Sequence, residues 1–353
     1  MKKQPANPGR GANQNPANRF VAQRYCQEDK AGLDEAFREG LPKTQFMEEH
    51  GKTLVNKVDS PDVGMEYSMN PYQGCEHGCA YCYARITHEY WGLSAGLDFE
   101  QKIIVKKNAP ELLRKFLDRQ GWECRPLSLS GNTDCYQPAE EKFRITRQLI
   151  GICNQYNQPV TIITKNARVL DDASLLAELA AKNMTGVMFS ITSLDNKLQR
   201  VLEPRTSIPA QRLKALETLA SKGVHCGVMM GPVIPGLNDT EMKKIFESAA
   251  NAGASFASYT YVRLNGSVQL IFRDWLHQHY PERVDKVWNL IASGHGGQVN
   301  DSRLGKRIRG EGPVADLVNQ QFKKLCLRYG LNRVRPVLDC TKFMRPGGQL
   351  SLF

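Results

Sequence analysis

The sequence predicts an α/β fold: a partial (β/α)6 barrel of the TIM type, built of parallel strands, with an N-terminal extension and a helical C-terminal region. Three observations lead there. Short apolar runs recur along the middle of the chain, amphipathic helical patterns lie between them, and polar clusters follow the runs directly. Such alternation implies parallel strands joined by right-handed crossovers, with ligands at the carboxyl ends of the strands.

In chain order, residues 1–20 are rich in Asn, Pro and Gly and poor in apolar side chains, so a disordered or extended arm is expected. Residues 21–65 read as an N-terminal extension packed on the barrel, with a short helical pattern at Leu33–Phe37. The barrel spans residues 66–262. Its first strand lies in Glu66–Met69, and the others are expected at Pro126–Ser130, Val160–Thr164, Val187–Ile191, Val224–Met230 and Phe256–Tyr261. From the second onward their starts are about 27 to 37 residues apart. Helical spacing of apolar residues appears at Phe143–Ile150, Leu175–Leu179, Arg212–Leu219 and Met242–Ala249. Residues 263–343 form a basic region with amphipathic helices at Val268–Tyr280, Arg283–Ser293 and Val314–Tyr329. His277 and His279 read as helix surface, because no third ligand is evident nearby. Residues 344–353 are a flexible tail.

A chain of 353 residues, 41% hydrophobic and 24% charged, can bury a sizeable core as one large domain or two ordinary ones. No stretch approaches the roughly 18 apolar residues of a membrane helix, and the N-terminus has no apolar signal core. A cytoplasmic protein without membrane spans is expected. The formal charge is +11, and residues 261–353 hold 15 basic against 7 acidic side chains. Arg303, Lys306, Arg307 and Arg309 are packed into one short segment. Such a field attracts polyanions, nucleic acid first, or forms an ordinary solvated face.

Ten cysteines in a long chain without a signal suggest buried hydrophobes, metal ligands or catalysts rather than disulfides. Cys75, Cys79 and Cys82 form C-x3-C-x2-C within NPYQGCEHGCAYCYAR, a spacing expected by chance on the order of 0.01 times per chain. Gly74 and Gly78 let this loop fold back on itself. A structural zinc site wants four ligands, for which His77 is the candidate fourth. Three thiolates on a cubane cluster instead leave one iron open to a small-molecule chelate.

This motif, with an aromatic before the third cysteine, resembles the signature of the radical S-adenosylmethionine (SAM) superfamily. The resemblance implies a [4Fe-4S] cluster on Cys75, Cys79 and Cys82, SAM chelating the fourth iron, an electron donor, and a 5′-deoxyadenosyl radical that abstracts hydrogen from substrate. It also implies the barrel fold. Within the superfamily the chain is similar, from about Tyr67 to Tyr261, to the branch around spore photoproduct lyase, described as DNA repair photolyase-like. Tyr81 and Tyr83 flank the third cysteine as they do there. Thr133 matches a serine whose hydroxyl contacts SAM, Lys165 a lysine near the SAM carboxylate, and Ser190 a serine at the ribose. LEPRTS resembles a Glu-Pro-x-Thr-Ser run. One departure stands out: Gly131 occupies the position of the hydrogen-donating cysteine, and Cys135, four residues on, is the candidate thiol donor in its place.

The tail ends in Gln349-Leu350-Ser351-Leu352-Phe353 after Pro346-Gly347-Gly348. This pentapeptide resembles the motif with which bacterial polymerases and repair proteins dock on the DNA sliding clamp, with Leu352 and Phe353 as apolar anchors. It can equally fold back onto the barrel. Three functions are therefore weighed: a radical SAM enzyme acting on nucleic acid with repair-lyase chemistry, a radical SAM enzyme modifying a small molecule or peptide, and a metal-dependent binding module docked on the sliding clamp.

Overall fold

The computed structural model describes residues 9–20, 44–334 and 337–346. Among the described residues there are ten strands: β1 (Gln45–Glu49), β2 (Val55–Lys57), β3 (Tyr67–Met69), β4 (Tyr72–Gln73), β5 (Lys102–Lys106), β6 (Leu127–Leu129), β7 (Val160–Thr164), β8 (Thr185–Ser190), β9 (His225–Val233) and β10 (Phe256–Tyr261). Seven form one sheet in the order β10-β9-β8-β7-β6-β3-β2. Every pairing from β10 to β3 is parallel, and only the edge strand β2 runs antiparallel. The six parallel strands are the six expected from the sequence, each within a few residues of its expected start.

Helices cover the outer face of this sheet. Ile145–Gln155, Ala173–Ala180, Pro209–Ser221 and Met242–Asn251 each follow a strand, as their apolar spacing requires. Val187 and Phe189 of β8 and Val228 and Met230 of β9 are wholly buried, as in strands packed on both faces. Helices Val268–His279, Val284–Ser293 and Pro313–Arg328 complete the C-terminal region. His277 and His279 lie on the last turn of the first of these, and among the described residues no group of three His, Cys, Asp or Glu is placed to hold a metal ion. No helix among the described residues is long and apolar enough to cross a membrane.

A second sheet, β1-β5-β4, was not anticipated. Its centre is Ile103-Ile104-Val105, an almost fully buried run that lies outside the regular strand spacing. β1 pairs with it in parallel and β4 antiparallel. β1 and β2 thus show how the extension joins the barrel. The pattern at Leu33–Phe37 and the tail segment Gln349–Phe353 lie outside the described residues.

Two segments that the sequence leaves open are placed by the structure. Residues 9–20 have no regular structure, yet they are not a free arm. The amides of Gly11 and Ala12 donate to the Glu100 carboxylate at 3.2 and 2.8 Å, and Arg10 donates to the Glu100 carbonyl at 2.8 Å. Asn15 donates to Asp98, Asn18 donates to the carbonyls of Glu89 and Leu93, and Arg19 pairs with Glu89. The polar residues that suggested disorder are the ones that stitch the arm down.

The Arg303–Arg309 segment, in turn, is not a free cationic patch. Arg303 pairs with Asp301 and Glu311, Lys306 with Glu311, and Arg307 with Asp62. Arg309 lies over the Tyr259 ring, 4.2 Å from its centroid, and donates to the Tyr259 carbonyl. Local acids and an aromatic face absorb the charge that composition alone assigns to a partner.

Glu100 also accepts from Arg85 at 2.5 Å, with both side chains fully buried. Removing one member of such a pair strands the other charge in a low-dielectric interior. Glu100→Ala is expected to lower the unfolding free energy by about 3–5 kcal/mol, measured by denaturant titration. An unchanged midpoint would contradict this placement of the arm and the ion pair.

Candidate active site

The segment Gly74–Tyr83 lies at the carboxyl-terminal end of the parallel strands and is almost entirely irregular backbone. Gly78 has φ +67°, and a Cβ there would come within 2.8 Å of the Glu100 carboxylate. The N-terminal arm closes the other side. A Cβ on Gly11 would sit 1.7 Å from the Gly78 carbonyl oxygen, so only glycine permits this approach.

Polar contacts fix the loop on every flank. The Cys75 amide donates to the Phe99 carbonyl at 2.9 Å, and the Ala80 amide to the Leu202 carbonyl at 3.1 Å. Arg85 Nε donates to the Cys79 carbonyl at 3.0 Å. Gln137 reaches in from the β6 loop, accepting from the Glu76 amide and donating to the Gly74 carbonyl. Cys75 and Cys79 are buried, and Cys82 is partly exposed. Burial pushes the thiols of Cys79 and Cys82 up, and the three cysteines lie within electrostatic range of one another.

Two carboxylates organise the surroundings. Asp134 accepts from Thr164 Oγ1 at 2.8 Å, the Lys165 amide at 2.7 Å and the Tyr136 amide at 2.9 Å. Its Oδ2 is also 3.4 Å from His77 Nδ1. Burial alone would raise its pKa, but His77 and these donors hold it at about 2. His77 Nε2 lies 3.3 Å from Asn166 Nδ2, so both ring nitrogens are engaged.

The second carboxylate, Glu203 of the LEPRTS run, accepts from Tyr81 Oη, from Thr192 Oγ1 at 2.6 Å and from Arg212 at 2.6 Å. Arg212 is fully buried and also donates to the Ser190 carbonyl at 2.7 Å. The Lys165 ammonium stands 5.8 Å from the Tyr81 ring centroid, within electrostatic range of Glu203, Cys79 and Cys82. It makes no hydrogen bond among the described residues.

The structure thus brings Cys75, Cys79, Cys82, Tyr81 and Lys165 together at one end of the barrel. Thr133 and Ser190 are near, but their hydroxyl protons are committed. Thr133 Oγ1 donates to the Gly74 carbonyl at 2.6 Å, and Ser190 Oγ to the Gly231 carbonyl at 3.2 Å. Cys135 is a correction. Its side chain is wholly buried within the apolar core, which leaves the thiol no open approach for a substrate, so it is not placed as a hydrogen donor.

Asp134, Gln137 and Glu203 sit inside segments whose polarity marked them as site loops, although the sequence reading assigned them no part. Arg212 carried no signal at all, since its helix reads as amphipathic. A single metal ion finds no set of three close ligands among the described residues. Three thiols on a glycine-rich loop, two buried and one partly exposed, instead fit a larger, multi-iron body.

A model of the family described as "Radical SAM superfamily" matches residues 69–249, which include every element of this site from the first cysteine to the helix after β9. The chain belongs to the radical SAM superfamily. Radical SAM enzymes use a [4Fe-4S] cluster and S-adenosylmethionine, and they draw on an electron donor. An uncharacterised protein of Mycobacterium tuberculosis is 34% identical over 246 residues, covering 69% of this chain and 72% of its own. An uncharacterised protein of Methanocaldococcus jannaschii is 26% identical over 251 residues, covering 71% and 89%. Among solved structures, spore photoproduct lyase complexed with dinucleoside spore photoproduct aligns with a TM-score of 0.58 at 19% identity, covering 81% of this chain and 80% of the lyase. That likeness is one of fold.

Asp134→Ala removes an acceptor shared by four groups, two of them backbone amides. It should cost about 1–3 kcal/mol of stability and lower the iron retained per chain after desalting. Iron content equal to wild type would show that the β6 loop does not support the cysteine segment.

Proposed function

We propose that this protein is a radical SAM enzyme acting on nucleic acid, with repair-lyase-like chemistry, in which Cys75, Cys79 and Cys82 hold the cluster. The observation that carries the radical SAM site is the convergence of three thiols with an ammonium, Lys165, that has no hydrogen-bond partner among the described residues. A cation on the margin of a largely buried site needs an anion, and the carboxylate of SAM supplies one. When bound, the cluster delivers one electron to SAM and so provides the hydrogen-abstracting 5′-deoxyadenosyl radical.

The chain's own residues orient and enclose. Glu203 and Arg212 hold the Tyr81 ring against Lys165. Asp134 fixes the Lys165 backbone, so the side chain starts from a rigid strand end. The protons of Thr133 and Ser190 are committed to carbonyls, and Thr133 Oγ1 also accepts from Gln137 Nε2 at 2.9 Å, so they support the site through the backbone.

Nucleic acid is favoured over a small molecule or peptide by three features. The formal charge is +11. The fold likeness is to a protein solved with a dinucleoside photoproduct. A cation also stands at the barrel mouth: Arg263, two residues past β10, lies beside Tyr83 and makes no hydrogen bond among the described residues. Burial and the neighbouring Arg307 disfavour its charge, Asp62 and Asp301 favour it, and a phosphate would add to the latter. Tyr83 is half-exposed there, and its hydroxyl donates to the Gly131 carbonyl. Cleavage of the spore lesion itself is not proposed, because Gly131 lacks the thiol. Space is not the reason, since a Cβ at Gly131 meets nothing nearer than 3.7 Å.

Two measurements test the two halves. Lys165→Ala is expected to weaken SAM binding roughly tenfold while the cluster's visible absorbance stays intact; loss of the absorbance would remove Lys165 from the SAM site. Binding of duplex and ultraviolet-damaged DNA should weaken steeply with salt, and Arg263→Ala should reduce the salt slope by about 1. No salt-dependent DNA binding by the cluster-loaded protein would favour the small-molecule or peptide substrate.

A further inference from the structure

The helix Tyr83–Trp91, which begins directly after Cys82, has two unlike faces. Ala84, Arg85, His88 and Glu89 are buried. Tyr83, Tyr90 and Trp91 are 49%, 70% and 41% exposed, with Ile86 and Thr87 partly exposed between them. The outer face therefore carries three aromatic rings and no carboxylate, since Glu89, the helix's one acid, is on the buried side. Large exposed rings gathered in one patch mark an interaction surface.

These rings are held in place. Phe20, 55% exposed, stacks on Tyr90 with centroids 5.0 Å apart and planes inclined by 29°. The Arg19 guanidinium lies 4.7 Å from the Phe20 centroid and 5.9 Å from that of Tyr90, and it pairs with Glu89 Oε2 at 2.8 Å. Glu89 Oε1 accepts from Ser267 Oγ at 2.7 Å, and the Phe20 amide donates to Asn18 Oδ1 at 2.8 Å. At the other end of the face, Tyr83 donates to the Gly131 carbonyl of the β6 loop. The segment after β10, which carries Arg263, also runs along this helix: Asn265 Nδ2 donates to the Tyr83 carbonyl at 3.5 Å, and a Cβ on Gly266 would sit 3.2 Å from Ile86. The row of rings thus leads from the barrel mouth to the Phe20–Tyr90 pair, with an arginine near each end. At the rise of a 3-10 helix, Tyr83 to Tyr90 spans about 14 Å, the length of a few nucleotides in one strand.

We propose that this face is a stacking platform for an unpaired stretch of DNA, which it leads to the barrel mouth; the inference rests on the reading of nucleic acid as the substrate. In a duplex each base face is covered by its neighbours, so exposed rings find partners only where bases are free. Tyr90 and Phe20 take bases on their open faces, Trp91 extends the surface, and Arg19 and Arg263 attract the phosphates between. Arginines near both ends and the lack of any acid on the helix's outer face fit a polyanion. Because Phe20, Tyr90 and Arg19 already hold one arrangement, little side-chain freedom is lost on binding.

The test uses the cluster-loaded full chain without oxygen, titrated against a fluorescently labelled single-stranded oligothymidylate and against a duplex of equal length. Wild type should bind the single strand about tenfold more tightly than the duplex. Tyr90→Ala and Phe20→Ala should each weaken single-strand binding about tenfold while duplex binding is unchanged. The salt slope should stay as in wild type, because a neutral ring releases no counterions. Tyr90→Phe, which keeps the ring, should bind as wild type, and circular dichroism and iron content should be equal in all three variants. Equal affinity for the two forms of DNA, an unchanged single-strand affinity in Tyr90→Ala, or an equal loss on duplex would each overturn the platform. Salt-dependent binding that survives any of these results would leave the nucleic-acid reading standing, whereas no binding of either form would remove both.

Discussion

Buried backbone groups in an irregular segment have no ladder of their own, so each must find a partner elsewhere. For the loop that carries Cys75, Cys79 and Cys82, that requirement arranges much of the molecule. Glu100 draws the N-terminal arm and Arg85 to one flank of the loop, and Arg85 in turn accommodates the Cys79 carbonyl. Gln137 and Thr133 hold the Gly74 carbonyl from the β6 loop. Leu202, just before Glu203, takes the Ala80 amide. The loop is thus shaped by arm, β5 approach, β6 loop and β8 loop together, and no single one of them suffices.

Charge follows the same logic. Arg85 with Glu100, Arg212 with Glu203 and His77 with Asp134 are buried pairs that ring the cysteines. Within this ring the Lys165 ammonium is left without a hydrogen-bond partner among the described residues. Such pairs contribute little net stability over an apolar core, but they hold one geometry, and here that geometry leaves an ammonium within electrostatic range of Cys79 and Cys82. The C-terminal basic segment shows the opposite use of charge: its cations are neutralised locally, so any attraction for a polyanion falls to other groups such as Arg263.

Much of this was legible in the sequence because parallel strands announce themselves. β6 to β10 recur at regular spacing and are followed by polar loops, and the C-x3-C-x2-C spacing is rare enough to stand alone. The second sheet was not legible: β1 is largely exposed, β4 is two residues long, and β5 lies off the repeat. The arm from Gly9 to Phe20 misled because Asn, Gly and Pro are favoured both by disorder and by close backbone packing, and only the partner surface distinguishes the two. Thr133 follows β6 and Ser190 ends β8, yet sequence position could not show that their protons were already committed. Arg212 was invisible because a buried guanidinium looks like any helical arginine until its carboxylate is placed.

The claim on which the rest depends is that three cysteines on this loop hold a cluster that cleaves SAM. The most direct measurement is anaerobic reconstitution with iron and sulfide, reduction, addition of SAM and quantification of 5′-deoxyadenosine, with Cys82→Ala beside the wild type. Production by the wild type and its loss in the variant is the predicted result. A fully loaded, reduced wild-type protein that binds SAM yet forms no 5′-deoxyadenosine, with or without damaged DNA, would contradict it.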